Sequence, residues 1–253
     1  MTFYYSAACS SDCGNRTDNQ DRIFFDCADH SSSPLYSLKK ADGIVDSQVF
    51  AIFDGMGGEN HGDAAASTAC ESFSAIVRNR KKAIDHRFIA ETVRIINQKV
   101  VQKAREFKTD KMGSTLVSLW FQNNNVYVCN LGDSRAYRLR GSQFQQLSVD
   151  HVLASTVPSM YKASKSAVSQ YLGIDESEYL IEPYIAKGSI QAGDQYLICS
   201  DGLNDMVPNI EITSIMQSAK TAEECAGKLI QAALDHGGKD NVSVIVCRID
   251  KSY

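Results

Sequence analysis

The sequence lacks several features that would place it in a functional class at once. Its 26 Lys and Arg residues do not outnumber its 30 Asp and Glu residues, so no basic surplus indicates a nucleic-acid or anionic-membrane partner. No apolar run approaches the length of a membrane span, and the first residues have neither the basic stretch nor the long apolar core of a signal peptide. We therefore expect a cytoplasmic protein.

The eight cysteines give no sign of a zinc site or a secreted disulfide framework. Cys9 and Cys13 stand four apart, but no Cys or His pair follows at zinc spacing. Cys129, Cys199 and Cys247 lie inside apolar runs, where a thiol packs as a small hydrophobe. We interpret all eight as reduced thiols and expect no cysteine nucleophile. The chain also has no Gly-x-Ser-x-Gly motif for a serine nucleophile.

The remaining composition is ordinary for one domain, which we expect to span residues 1–253. Strand-like apolar runs follow one another in groups, separated by two pairs of helical patterns. This order predicts an α+β fold with antiparallel sheets. Residues 29–48 are predicted to form a surface loop or hairpin. After the weakly patterned segment at about 148–180, strands are predicted to resume with the run at 195–200.

Aspartates recur at the ends of the predicted strands, usually beside glycine. Any one of them could serve only to shape its own turn, since Asp-Gly is a common turn dipeptide. Five in the same context instead predict that they meet at one rim of a sheet. The five are Asp21, Asp54, Asp133, Asp201 and Asp240.

Carboxylates that converge repel one another unless a cation neutralises them. Mg²⁺ and Mn²⁺ prefer carboxylate, carbonyl and water oxygens as ligands. Glycine beside aspartate also lets a backbone carbonyl approach such an ion. The pattern therefore predicts a site for divalent cations.

Six stretches resemble the metal-dependent protein serine/threonine phosphatases of the PPM, or PP2C, family, and its bacterial members in particular. The family's fold is a sandwich of two antiparallel sheets with helices on both outer faces, in agreement with the order of patterns above. The stretches are RTDNQD (16–21), FDGMGG (53–58), GSTL (113–116), LGDSRAYRLR (131–140), CSDGLND (199–205) and GGKDNVSVIV (237–246).

The resemblance implies a role for each matching residue. Asp54 would bridge two Mg²⁺ or Mn²⁺ ions, with the Gly55 carbonyl on one of them. Asp201 and Asp240 would complete the coordination of the other. Asp21 would act through a metal-bound water, and Asp133 would help to hold a third, weaker ion. Arg16 would clamp the substrate phosphate, because its guanidinium can bind two phosphate oxygens.

The implied reaction is hydrolysis of phosphoserine and phosphothreonine in proteins by a water that bridges the two ions. The implied functional counterpart is a serine/threonine kinase. Met56 stands where eukaryotic relatives carry histidine, so leaving-group protonation must come from water or another group. Segment 148–180 matches the family's mobile flap but lacks its expected acidic, helix-forming composition. His61 could touch a metal-bound water, although a solvated loop histidine is the alternative.

Two other functions stay open at this point. The chain could be a catalytically silent phosphoprotein-binding module of the same fold, although none of the expected metal ligands is missing. It could also be a two-metal phosphoesterase that acts on small molecules or nucleic acid, although no basic groove signature supports this. Phosphate release from a phosphothreonine peptide, with and without manganese, distinguishes the three functions.

Overall fold

A computed structural model describes residues 2–25, 39–57, 61–109, 111–153, 167–177 and 179–251 of the chain. Two antiparallel sheets lie at its centre. The six-stranded sheet has the order β10-β9-β12-β13-β1-β3. Its strands are β1 (Phe3–Asp12), β3 (Lys39–Ile44), β9 (Arg135–Arg140), β10 (Gln143–Gln146), β12 (Gln195–Cys199) and β13 (Val242–Lys251).

The five-stranded sheet has the order β11-β8-β7-β4-β2, and a two-residue ribbon, β5-β6, lies apart from both large sheets. The strands of the second sheet are β2 (Arg22–Phe25), β4 (Val49–Phe53), β7 (Leu116–Gln122), β8 (Asn125–Leu131) and β11 (Tyr184–Ser189). The ribbon consists of β5 (Gly55–Met56) and β6 (Gly113–Ser114).

The sheets pack face to face because their strands alternate between two apolar sides. In β4, Phe50 and Ile52 enter the core between the two sheets. Val49, Ala51 and Phe53 point to the other side, into a second core beneath two helices. A strand that is buried on both faces is expected to be apolar at every position, and β4 is.

Helices cover both outer faces of the sandwich. The pair α1 (His61–Arg78) and α2 (His86–Phe107) packs on the five-stranded sheet. The pair α4 (Asn209–Ser218) and α5 (Ala222–Asp235) packs on the six-stranded sheet. A single turn, α3 (Asp201–Asn204), follows β12. The predicted fold class, an α+β sandwich with helices on both faces, is confirmed.

The start and length of α2 follow from its sequence. The Asp85 side chain accepts a hydrogen bond from the Phe88 amide at 2.7 Å, which caps the first turn. Apolar residues at helical spacing, including Val93, Ile96 and Val100, are buried against the sheet. Lys108 ends the helix in the left-handed conformation, with φ 54°.

Two strands differ from the predictions made from sequence. Residues 39–44, predicted as part of a loop or hairpin, form β3, whereas residues 29–38 of that prediction lie outside the described residues. Residues 184–189 form β11, although no strand was predicted between residues 148 and 195. Both are edge strands, and edge strands carry Lys and Gly in place of a clear apolar alternation. The periodicity that reveals a central strand is therefore absent from them.

Candidate metal centre

One end of the sandwich carries a cleft of about 940 Å³. The strands are antiparallel, so the ends of β4, β8 and β12 and the starts of β2 and β13 can meet at one rim. Six of the seven residues predicted for the site line this cleft. They are Arg16, Asp54, Gly55, Asp133, Asp201 and Asp240.

Asp54 lies directly after β4, and its backbone is held on both sides. Its carbonyl accepts a hydrogen bond from the Thr115 amide at 2.8 Å, and its amide donates to Thr115 Oγ1 at 3.1 Å. Burial raises the pKa of the Asp54 carboxyl well above its ordinary value, and the charges of Asp21, Asp201, Asp133 and Asp240 raise it further. Asp54 is thus the centre of a group of mutually repelling carboxylates.

Gly55 occupies a position that only glycine can fill. A Cβ atom there would lie 2.2 Å from the carbonyl oxygen of Gly62 in the first turn of α1. The backbone next to Asp54 therefore runs directly against the start of this helix. A side chain at residue 55 would displace the strand end that carries Asp54.

Asp21 lies at the start of β2 and is fully buried. Its Oδ2 accepts a hydrogen bond from Ser200 Oγ at 2.8 Å, whereas Oδ1 has no hydrogen-bond partner within the described residues. Burial raises the pKa of Asp21 to about 7, and the charges of Asp201 and Asp240 add to the rise. A buried carboxylate oxygen without a partner costs free energy unless a cation or a proton neutralises it.

Asp201 and Asp240 are brought together by a close backbone contact. Asp201 is the first residue of α3, and Gly202 follows it. A Cβ on Gly202 would lie 2.0 Å from the carbonyl oxygen of Asn241. The turn that carries Asp201 thus lies against the segment that carries Asp240.

Asp133 follows β8 and lines the same cleft. Burial raises its pKa to about 6, and the Asp201 charge is the next largest cause. Asp150 and Asp205 also raise it. Asp133 therefore belongs to the same electrostatic group as the other predicted ligands.

Arg16 is paired with one of the predicted ligands. Its Nη2 lies 2.8 Å from Asp240 Oδ2, and its Nε donates to the Lys239 carbonyl at 3.2 Å. The Arg16 side chain is 58% exposed, so solvent screens this ion pair and its contribution to stability is small. The guanidinium is therefore held at the cleft edge by a contact that costs little to break.

Asn241 joins the loop that carries Arg16 and Asp21 to the start of β13. Its Oδ1 accepts from the Gln20 amide at 2.8 Å, and its Nδ2 donates to the carbonyls of Cys13 and Asp18 at 3.0 and 2.9 Å. Because it is buried, these bonds are shielded from water and fix the loop well. The sequence analysis identified the stretch at 237–246 that contains Asn241, but it did not predict that Asn241 braces this loop.

The cleft contains further polar residues that sequence reasoning missed. Asp18, Asp150 and Asp205 bring its aspartates to seven, and the three cations that line it are Arg16, Lys111 and Arg135. Arg135 is already paired with Asp150, at 2.7 Å between Nη2 and Oδ2. Negative charge therefore exceeds positive charge in the cleft, as a site for divalent cations requires.

The structure also excludes Cys129 as a nucleophile, which spacing alone does not. Cys129 and Arg135 stand in the Cys-x5-Arg spacing of cysteine phosphatases. However, Cys129 is fully buried in β8, and burial raises its pKa to about 12. Arg135 is engaged with Asp150. This thiol can neither ionise near neutral pH nor reach the cleft.

Two residues near the site in sequence lie elsewhere in the structure. His61 is the first residue of α1. Its ring packs edge-on against the Phe107 ring, with 5.7 Å between the ring centroids. The alternative of a histidine on a solvated loop is therefore wrong, and His61 does not line the cleft. Asp63, in the first turn of the same helix, forms an ion pair with Arg22.

The donor set fits hard divalent cations. It combines the carboxylates with the backbone carbonyl of Gly55, a residue without a side chain. It also includes the buried Oδ1 of Asp21, which has no hydrogen-bond partner within the described residues. Within the described residues, no three His, Cys, Asp or Glu side chains are close enough to hold an ion as they stand. The carboxylates therefore line a common cleft without forming a closed ligand set as they stand.

Comparison with known proteins identifies the relatives of this chain. Residues 39–235 match the family model described as protein phosphatase 2C. The serine/threonine phosphatase stp of Listeria monocytogenes is 30% identical over 216 residues, which are 80% of this chain and 84% of the relative. Protein phosphatase PhpP of Streptococcus pneumoniae is 28% identical over 80% of this chain and 86% of its own.

A solved structure shares the fold over almost the whole chain. It is the catalytic domain of the serine/threonine protein phosphatase PstP in complex with two manganese ions. The TM-score is 0.79 at 26% identity, and the match covers 98% of this chain and all of the PstP chain. No helix in the described residues has both the length and the apolarity that crossing a bilayer requires.

Proposed function

The chain belongs to the protein phosphatase 2C family of serine/threonine phosphatases, and from that premise we propose how it acts and on what. It hydrolyses phosphoserine and phosphothreonine in proteins at the acidic cleft. Two Mg²⁺ or Mn²⁺ ions, when bound there, supply an activated water and offset charge on the phosphoryl group. The observation that carries this proposal is the convergence of Asp21, Asp54, Asp201 and Asp240. Burial raises the pKa of Asp21 and of Asp54, and the charges of Asp201 and Asp240 raise both further.

We assign the ligand roles from the resemblance of the sequence motifs, and this convergence supports them. Asp54 and the Gly55 carbonyl would hold the ions from one side, and Asp201 and Asp240 from the other. Asp21 lies behind them, where its unpartnered oxygen can accept a hydrogen bond from ion-associated water. Asp133 lines the same cleft and would serve a third, weaker ion.

Arg16 would bind the substrate phosphate. In the structure it is tied to Asp240, one of the proposed ligands. Once Asp240 is engaged with a cation, its charge no longer holds the guanidinium. Surface ion pairs contribute at most about 1 kcal/mol, so releasing Arg16 to a phosphate is inexpensive. In the absence of a cation, the same pair keeps the guanidinium at the cleft edge.

The protein's own residues keep this arrangement rigid. Thr115 fixes the Asp54 backbone from two directions and also shares a hydrogen bond with Ser134, at 2.7 Å between hydroxyl oxygens. Asn241 fixes the loop that carries Arg16. Such bracing limits the reorganisation needed during the reaction. Met56 lines the cleft without an ionisable group, so the leaving oxygen would take its proton from water or another group.

The other parts of the proposal rest on the sequence alone. They are a single domain over residues 1–253, a cytoplasmic location and a serine/threonine kinase as functional counterpart.

A phosphate-release assay tests the proposed function. Phosphothreonine peptide is incubated with the protein and millimolar Mn²⁺, and separately with a chelator. We expect release with Mn²⁺ and none with the chelator. If the protein bound the peptide without releasing phosphate, the silent-module alternative would replace the proposal. Release from small phosphate esters or nucleic acid alone would instead indicate another phosphoesterase.

Replacing Arg16 by alanine should raise the KM for a phosphothreonine peptide about tenfold and change kcat less, because a charge-assisted phosphate contact is lost while the ligands remain. Steady-state kinetics at saturating Mn²⁺ measure both constants. Arg87→Ala, on the exposed surface of α2, is the matched control and should leave both unchanged. An unaltered KM in the Arg16 variant would remove this residue from the phosphate site.

A further inference from the structure

The lining of the cleft combines two kinds of chemistry. Beside the aspartates, it carries four apolar or aromatic residues between positions 152 and 171. We name these residues the apolar wall: Val152, Ala167, Val168 and Tyr171. None of the four belongs to the buried core clusters of the described residues, and all four retain exposed surface. Their apolar area is therefore available to a ligand.

The apolar wall is fixed in place by backbone pairing. Val152 and Val168 form an antiparallel bridge, flanked by hydrogen bonds from Leu153 to Ala167 at 3.0 Å and from Ser169 to His151 at 2.8 Å. Apolar groups held rigidly in this way lose little conformational freedom when a ligand covers them.

The same wall is joined to the proposed metal ligands through the β5-β6 ribbon. Gly55 pairs with Ser114 in this ribbon, and Ser114 pairs on its other side with Leu172 through hydrogen bonds of 2.9 and 2.8 Å. The Tyr171 ring lies over Gly113, where an added Cβ would stand 2.6 Å from the ring. Two strand spacings separate Gly55 from Leu172, or roughly 10 Å.

This separation matches the geometry of an extended peptide. Successive Cα atoms are about 3.8 Å apart, and a side chain adds several ångströms, so a residue next to the phosphorylated one reaches the wall. We propose that the apolar wall is a specificity subsite, which selects phosphopeptides with a large apolar residue beside the phosphoserine or phosphothreonine. The inference rests on the proposed function and adds a substrate class to it.

The electrostatics of the cleft support the same class. Three of the seven aspartates that line the cleft, Asp18, Asp150 and Asp205, are not among the proposed ion ligands, so their charge would repel an acidic neighbour in the substrate. An apolar neighbour avoids that repulsion and buries area against Tyr171 and Val168. Partial burial of a leucine side chain corresponds to roughly a five- to tenfold gain in kcat/KM over glycine.

Two series of phosphothreonine peptides test the subsite. One series varies the residue before the phosphothreonine and the other the residue after it, each among Leu, Gly and Asp. With Mn²⁺, we expect Leu to exceed Gly by roughly five- to tenfold in one series, with Asp lowest. Tyr171→Ala should reduce the Leu-to-Gly ratio to below about two, whereas Tyr171→Phe should keep it because the ring remains.

Matched variants separate this role from a general structural one. Tyr179→Ala removes a tyrosine that is 72% exposed and outside the cleft, and it should keep the wild-type ratio. Val168→Ser gives an independent reading should Tyr171→Ala fail to fold. Equal rates for Leu and Gly in both series, or an unchanged ratio in Tyr171→Ala and Val168→Ser, would overturn the inference alone. Wild-type protein that releases phosphate from no peptide would overturn the proposed function as well.

Discussion

Replacing Asp54 by asparagine is expected to reduce Mn²⁺-dependent turnover of a phosphothreonine peptide at least about a thousandfold. Asparagine keeps the shape of the side chain and the two backbone hydrogen bonds to Thr115. It removes the charge at the centre of the acidic group, and with it the strongest attraction for two cations. Turnover, measured as released phosphate at saturating Mn²⁺, should fall to the level of the chelator-treated wild type.

The same substitution, Asp to Asn, at an aspartate outside the cleft provides the control. Asp42 is exposed on the edge strand β3 and is not one of the cleft-lining residues, so Asp42→Asn should retain wild-type turnover. Thermal melting of both variants without metal shows whether each is folded. A folded Asp54→Asn protein with turnover within tenfold of the wild type would mean that Asp54 does not hold the ions.

Asparagine at Asp21 is expected to have opposite effects on stability and activity. In the metal-free protein, Asp21 is a buried carboxylate with one unpartnered oxygen, and repulsion from Asp201 and Asp240 adds to its cost. Removing the charge should stabilise the metal-free protein by about 2 kcal/mol and raise Tm by about 5 °C at pH 8. Turnover should fall between about ten- and a hundredfold, because a group behind the metal ligands is lost.

The pH dependence of this stabilisation has a defined sign. The pKa of Asp21 is raised to about 7 in the folded protein, from an ordinary value of 3.8. The folded wild type thus takes up a proton as the pH falls through 7, and the cost of the buried charge disappears between pH 7 and about 4. The Tm difference between Asp21→Asn and wild type should therefore shrink across that range. A variant less stable than wild type at pH 8 would contradict this account.

The ligand candidates were predictable because each stands at the end of an apolar run. Asp54 follows β4 and Asp240 precedes β13, and aspartate beside glycine at such positions is visible in one sequence. Their meeting depends on strand pairing across the whole chain. Phe3 pairs with Lys251, for example, and no local pattern encodes that register.

Other features left no local signal. Asp150 and Asp205 follow no buried strand directly, so only the folded chain shows that they line the cleft. Tyr171 lies in a segment without periodicity, and its position is set by the bridge of Leu172 to Ser114. The edge strand β11 lacked the alternation of a central strand. These positions follow from tertiary pairing rather than from propensity.

The most direct test of the account is an anomalous diffraction map from crystals of the wild-type protein soaked in millimolar Mn²⁺. We predict two strong manganese peaks between Asp54, Asp201 and Asp240, with the Arg16 guanidinium no longer paired to Asp240. A cleft that shows no manganese between these three carboxylates would contradict the central claim that they form one cation site.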